Sequence, residues 1–204
     1  MPRTSDAKER LMDAVSELIW ESSYGATSVD DICEKAGVKK GSFYHFFKSK
    51  SDLEVAALEA YWSASKPALD QIFSCTVPPL ERLSNYLDFS LKKQAEAQAE
   101  CGCVLGCPLA TIGTEVSTQD SAIRQKVEEI MNRHATYMES AIRDAHAQGL
   151  INAPDAKSKA RALHAYLQGI MTQARIENSL DVLKDAKTGV MELLGVKSST
   201  QATA

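Results

Sequence analysis

Apolar residues recur along this chain at helical spacings. Leu11, Ala14, Val15, Leu18 and Ile19 stand at offsets of three, four, seven and eight, which gathers them on one face of a helix. Asp6 followed by Glu9 predicts a capping box and a start near Ser5, and Tyr24-Gly25 predicts the end, with glycine free to take a positive φ. Val29, Ile32, Cys33 and Ala36 mark the inner side of a short second helix, capped by Thr27 or Ser28 and closed by Gly37. A third short helix follows at about Lys40 to Phe46. Two short helices about a glycine-containing turn form a helix-turn-helix. A fourth helix starts near Ser49 or Ser51, with Leu53, Ala57, Ala60 and Tyr61 on one side, and Pro67 either kinks it or marks its late turns.

Beyond a break at Cys75 to Pro79 the periods lengthen. Leu80, Leu83, Leu87 and Leu91 predict a helix to about Glu100, and the Gly- and Cys-rich stretch Cys101 to Ser117 a loop with a short helix. Ile123, Val127, Ile130, Met131, His134, Met138 and Ile142 carry a long helix from Ala122 to Gln148, stopped by Gly149. Further helices are expected over Asp155 to Asn178 and Leu180 to Leu194, with a frayed polar tail after Val196. No repeat or strand pattern emerges. The fold class expected is all-α, with residues 1–50 as the helix-turn-helix domain, 51–74 as a connecting helix, and 75–204 as a larger helical domain.

Composition fits that picture. Across 204 residues, 44% hydrophobic and 25% charged residues describe a globular chain rather than a disordered one. No apolar run is long enough for a membrane span, and MPRTSDAKER lacks the apolar core of a signal peptide, so a cytoplasmic location and no membrane partner are expected. Five cysteines, an odd number, point to free thiols.

Charge is more telling locally than in total. The formal net charge is −4, yet Lys35, Lys39, Lys40, Lys48 and Lys50 fall within sixteen residues that hold no acid. Such a patch suits a polyanion, although lysine-rich turns are usually just solvated surface. The neighbours favour the polyanion. Phe43, Phe46 and Phe47 can anchor the third helix, leaving Ser42, Tyr44 and His45 on its other side, where hydroxyls and imidazole reach phosphates or base edges. Thr27 or Ser28 at a helix N-terminus can meet a phosphate, and Lys48 and Lys50 can clamp the backbone.

Ala26-Thr-Ser-Val-Asp-Asp-Ile, Ala36-Gly-Val, Lys40-Gly-Ser-Phe-Tyr-His-Phe-Phe and Ser49-Lys-Ser-Asp-Leu closely resemble the N-terminal DNA-binding domain of TetR-type transcriptional regulators. The resemblance covers residues 5–65, about a third of the chain. It implies an all-helical homodimer whose recognition helices enter successive major grooves of a palindromic double-stranded operator. Carried over residue by residue, it points to Thr27, Ser28, Lys39, Lys40, Ser42, Tyr44, His45, Lys48 and Lys50 at the DNA. Lys39 departs from the small polar residues frequent there, which leaves the base preference open.

The same family places a ligand cavity among the middle helices and a dimer interface on the last two. Leu163, Tyr166, Leu167, Ile170, Met171 and Ala174 form one apolar stripe, and Leu180, Leu183, Val190, Leu193 and Leu194 another. These either pair with a second subunit or pack inside the monomer. Candidates for lining an effector cavity are Trp62, Tyr86, Phe89, Cys103, Cys107, His134, Tyr137, Met138, His164 and Tyr166. Cys101, Cys103 and Cys107 admit three readings: an incomplete metal set, a thiol sensor of oxidants or electrophiles, or small apolar packing residues near the pocket.

The function expected is a ligand-responsive repressor, not an enzyme, with no cofactor or metal. A thiol-sensing repressor and a DNA-binding structural protein without inducer are the alternatives. A redox enzyme built on Cys101 and Cys103 is disfavoured by the absence of a strand pattern or phosphate loop.

Overall fold

The computed structural model describes residues 4–196, and among them the regular structure is helical throughout. The helices are α1 (Thr4–Glu21), α2 (Val29–Ala36), α3 (Lys40–Phe46), α4 (Lys50–Ile72), α5 (Pro79–Cys101), α6 (Pro108–Val116), α7 (Ser121–Ala147), α8 (Ala156–Glu177) and α9 (Ala186–Leu194), with a single 3-10 turn at Asp181–Leu183 before the last. The expected tail after Val196 lies outside the described residues.

Packing gathers the chain into two units. The first takes residues up to Lys66 together with Cys107–Met131, and the second takes Pro67–Gly106 together with Asn132 onward. This division by packing is not a single cut near residue 75, because α6 and the start of α7 return to the N-terminal helices.

In the first unit, Leu11, Val15, Ile32, Phe43 and Leu53 are completely shielded from solvent. They come from α1, α2, α3 and α4, so a three-helix head and the start of α4 share one core. Removing such side chains from water supplies most of the drive to fold. In the second unit, Leu87, Met138, Ile142, Leu163 and Val190 do the same for α5, α7, α8 and α9.

Local chemistry explains the helix ends. Ser28 caps α2 reciprocally: the Asp31 amide donates to Ser28 Oγ at 3.1 Å, and the Ser28 amide donates to Asp31 Oδ2 at 2.8 Å. Those bonds hold the Asp31 carboxyl below its ordinary pKa. Gly37 closes α2 at φ 61°, a left-handed conformation that side chains resist. Asp155 and Asn178 bracket α8 as caps, matching the ends read from the sequence.

Four expectations need correction. α1 begins at Thr4, so Asp6 sits in its first turn, 3.7 Å from Arg10, rather than capping it. α1 ends at Glu21, and Gly25 does not adopt a positive φ; an acceptor from α6 holds that loop instead. α4 buries Leu53 and Ala57 as expected, but also Leu58, Trp62 and Leu69, while Tyr61 stays 39% exposed. The last helix is broken: the 3-10 turn precedes α9, and only Leu183, Val190 and Leu194 of its stripe are fully interred.

The stripe expected on α8 is used within the protomer. Leu163, Leu167, Met171 and Ala174 are buried in its own core. Tyr166, expected at a ligand cavity, packs on α9 so closely that a Cβ at Gly189 would fall 2.0 Å from its hydroxyl oxygen. Only glycine fits there without a shift.

Candidate nucleic-acid interface

The third helix is held by its aromatics. Phe43 is wholly buried and Phe47 is 4% exposed, with ring centroids 6.1 Å apart. Phe46, expected as a third anchor, is only half-buried. The neighbour of Phe43 turns the other way: Tyr44 is 56% exposed, its ring edge-on to Phe43 at 5.1 Å. A rigid helix thus pushes a large aromatic hydroxyl into solvent. His45 is exposed beside it, and Ser42 is half-buried.

Lysines surround this helix. Lys39 precedes it with an exposed side chain. Lys40 pairs with Asp30 of α2 at 2.8 Å, a contact between two exposed groups that a phosphate can replace at little cost. Lys48 follows α3, its amide donating to Asp52 at 3.1 Å as α4 begins. Ser28 is exposed at the α2 N-terminus.

Two expected DNA residues are engaged inside the fold. Thr27 is 4% exposed, and its hydroxyl donates to the Ser23 carbonyl at 2.8 Å. Lys50 turns its ammonium inward, donating to the carbonyls of Tyr24 and Thr27, each at 2.7 Å, and lying 3.9 Å from the Tyr24 ring centroid. Burial lowers the Lys50 pKa from its ordinary value. Both residues therefore brace the approach to α2. Sequence spacing could not reveal this, because the carbonyls that Lys50 meets lie some two dozen residues away.

The same loop is gripped from the other side by a residue that sequence reasoning missed. Glu115 of α6 accepts from the amides of Tyr24 at 2.8 Å and Gly25 at 2.7 Å. A Cβ at Gly25 would come within 3.2 Å of that carboxylate. Arg10 of α1 donates to the last carbonyl of α2, on Ala36, at 2.9 Å, and Lys35 reaches Glu17 at 2.8 Å. The helix-turn-helix is thus positioned by α1, α4 and α6 together.

Comparison with known proteins decides what this scaffold is. Residues 11–57 match the family model "Bacterial regulatory proteins, tetR family", and residues 79–190 match "Tetracyclin repressor-like, C-terminal domain". The chain belongs to the TetR family. It is 30% identical over 184 residues to the transcriptional regulator AcuR of Cereibacter sphaeroides, covering 89% of this chain and 82% of that one. A solved regulatory protein TetR from Rhodobacter sphaeroides superposes with a TM-score of 0.81 at 28% identity, covering 92% of this chain and 98% of that one. The reduced form of Escherichia coli NemR shares the fold, with a TM-score of 0.82 at 22% identity over 95% of this chain and 99% of that one. This TetR-family chain is a transcriptional regulator whose helix-turn-helix lies in the first unit. No helix among the described residues is long and apolar enough to cross a membrane.

The candidate effector residues divide between the units. In the second, His134 and His164 lie nearly parallel, at 15°, with centroids 6.4 Å apart, and Tyr86 is 6.4 Å from His134. Phe73, not anticipated from sequence, links Tyr86 at 5.6 Å to Tyr137 at 5.3 Å. Tyr137 donates to Asp70. Gln168 approaches His164 at 3.3 Å, while its carbonyl oxygen is buried without a partner. Met138 is fully interred in the core, and Phe89 is half-buried with Lys93 5.9 Å from its ring. Trp62 and Cys107 belong to the first unit.

Cys101 and Cys103 are exposed and Cys107 half-buried. Their loop is firmly held: Gly106 exchanges two hydrogen bonds with the Gln94 side chain, at 2.9 and 3.0 Å, and Arg175 donates to the Leu105 carbonyl at 2.7 Å. Among the described residues no cluster of three or more metal-ligating side chains forms. Packing thus accounts for Cys107 better than for the two exposed thiols.

Burial, and secondarily the neighbouring His164, pushes the His134 pKa down to about 4; burial also lowers that of His164. Both rings are neutral at pH 7. A histidine depressed in the folded state stabilises the fold above its unfolded pKa of about 6.5 and loses that contribution as the pH falls toward 4. His134→Gln is expected to flatten the stability curve across that window, by an amount on the order of 2 kcal/mol. Urea melts of both proteins at several pH values measure the difference.

Proposed function

We propose that this regulator binds a two-fold symmetric operator as a homodimer and represses transcription until a small-molecule effector lowers its affinity for DNA. The observation that carries the reading is the pairing of a wholly buried Phe43 with an outward Tyr44 on one short helix. It fixes a polar surface of Ser42, Tyr44 and His45 in place, flanked by Lys39, Lys40 and Lys48, with Ser28 at the next helix end. Those side chains suit phosphate oxygens and base edges of a major groove. Several relatives are named as transcriptional repressors, among them DhaR of a Mycobacterium species, which supports repression as the outcome.

Dimerisation supplies the second half-site, since one such helix reads too few base pairs. With its apolar stripe turned inward, α8 offers a different face: Ala162, Ala165, Gly169, Thr172, Gln173 and Ile176 are exposed at helical spacing, and Ile176 is 78% exposed. Small residues allow a partner helix to approach closely, and Ile176 gives the contact an apolar anchor.

For the effector, the His134, His164, Tyr86 and Tyr137 group, with the unmatched Gln168 oxygen, combines apolar walls with a few polar anchors in the second unit. A second reading rests on the exposed Cys101 and Cys103, and on a relative, NemR, whose structure is described as a reduced form. There the trigger is oxidation or alkylation of a thiol, and replacing Cys101, Cys103 and Cys107 by serine removes the response to oxidants while leaving DNA binding intact.

The test is selection of fragments from a genomic duplex library by the full-length protein, at stepped salt concentrations. The expected result is enrichment of an inverted repeat with half-sites about 34–36 Å apart, bound with affinity that falls steeply with salt. Failure to bind any duplex, even in dilute buffer, would overturn the reading.

A further inference from the structure

Within the first unit, α1, α4 and α6 form a cavity of about 310 Å³, open to solvent on one side, that the DNA-binding reading does not use. Its walls are apolar, including Leu58 of α4 and Ile112 of α6, with the aromatic rings of Trp20 and Tyr61. Its charged groups are all acidic. Asp13 and Glu17 come from α1, and Glu54 comes from α4.

Glu54 is the anomaly. It is 4% exposed, and its Oε2 is buried with no hydrogen-bond partner. A buried carboxyl normally finds a donor or a cation, because leaving one unmatched costs a large desolvation penalty. The nearest candidate on its own helix, Lys50, has its ammonium committed to the Tyr24 and Thr27 carbonyls. No lysine or arginine lines the cavity, and Glu17 at its edge is engaged with Lys35 at 2.8 Å.

We propose that this cavity is a binding site for an organic cation with an apolar body, its charge received by Glu54 and its hydrocarbon by the aromatic and aliphatic walls. The size suits a small ligand, and aromatic rings beside a carboxylate are the surroundings that quaternary ammonium groups favour. The charged and titratable groups around Glu54 are Asp13 and Glu17 from α1, Lys50 and Tyr61 from α4, and Tyr24 of the loop after α1, with Glu115 of α6 acting on the same Lys50; the α6 residues that line the cavity, Pro108 and Ile112, carry none. Burial pushes the Glu54 pKa up to about 8, with Lys50 opposing, so the carboxyl is protonated at pH 7. A cation entering there displaces that proton into the buffer. The inference goes beyond the operator reading and does not depend on it.

Calorimetric titration of the full-length protein with benzyltrimethylammonium tests it, with uncharged N,N-dimethylbenzamide as control. Saturable binding of one cation per chain is expected, with affinity increasing between pH 6 and pH 8. Repeating the titration at pH 7 in phosphate and in Tris buffers, whose ionisation heats differ, should show a proton released per cation bound. Glu54→Gln, close in shape to the protonated acid, should weaken the cation at least about tenfold. No saturable binding, no proton release, equal binding of the uncharged control, or undiminished binding by the glutamine variant would each overturn the proposal. The proton measurement is made on the unaltered protein, so it holds even if the variant fails to fold.

Discussion

Tyr44→Ala is expected to weaken operator binding about thirtyfold while leaving the unfolding transition where it was. The side chain is 56% exposed, so its loss removes little buried surface. A hydroxyl contact to a phosphate contributes about 1 kcal/mol net, and a symmetric dimer loses it twice, which gives the expected factor. Lys50→Ala is expected to behave differently. Its ammonium joins the Tyr24 and Thr27 carbonyls across the approach to α2, so that variant should lose about 1–3 kcal/mol of stability as well as affinity. Urea melts and fluorescence-anisotropy titrations on the same samples separate the two cases. An unchanged affinity for Tyr44→Ala at physiological salt would show that α3 does not face the duplex through that residue.

The contrast between those two positions marks how far the sequence could be read. Tyr44 was legible because its neighbours at Phe43 and Phe47 dictate which side of a seven-residue helix turns inward, and periodicity alone reports that. The ends of α2 and α8 were legible for the same kind of reason: Ser28, Gly37, Asp155 and Asn178 act on backbone groups within a few residues of themselves. Lys50 was not legible, since its charge is committed through groups brought near only by the tertiary fold. Glu54 and Glu115 share that character. Both are acids on helices, and spacing marks an acid as solvent-facing until a partner element covers it. The α4 face was only partly legible because apolar residues occur all around that helix: Leu53 and Ala57 are buried as expected, but packing added Leu58 and Trp62 and left Tyr61 at the edge. The α8 stripe was correctly apolar, yet its own subunit consumes it. Hydrophobic spacing says that a face is covered, and not by what.

Arg82→Met is expected to cost the protein about 2–3 kcal/mol, among the largest single-residue losses available outside the apolar core. Arg82 lies on the first turn of α5 and is 3% exposed. Its guanidinium donates to Asp144 of α7 at 2.5 Å, to the Val77 carbonyl at 2.7 Å and to the Cys75 carbonyl at 3.3 Å. One planar group therefore ties the turn before α5 to α7 within the second unit. Methionine can fill the volume of the stem, but it can donate to none of the three acceptors. A fully interred ion pair broken on one side costs about 3–5 kcal/mol. Here the Asp144 side chain keeps 41% of its exposure, so water partly replaces the lost partner and the expected cost falls below that range. Arg82→Lys should recover only part of it, because a single ammonium cannot reach a carboxylate and two divergent carbonyls at once. Asp144→Asn, which leaves both carbonyl bonds in place, should cost no more than about 1 kcal/mol. Urea denaturation of the four proteins orders them, and a methionine variant within about 0.5 kcal/mol of the parent would mean that the turn at 75–78 holds its place without Arg82.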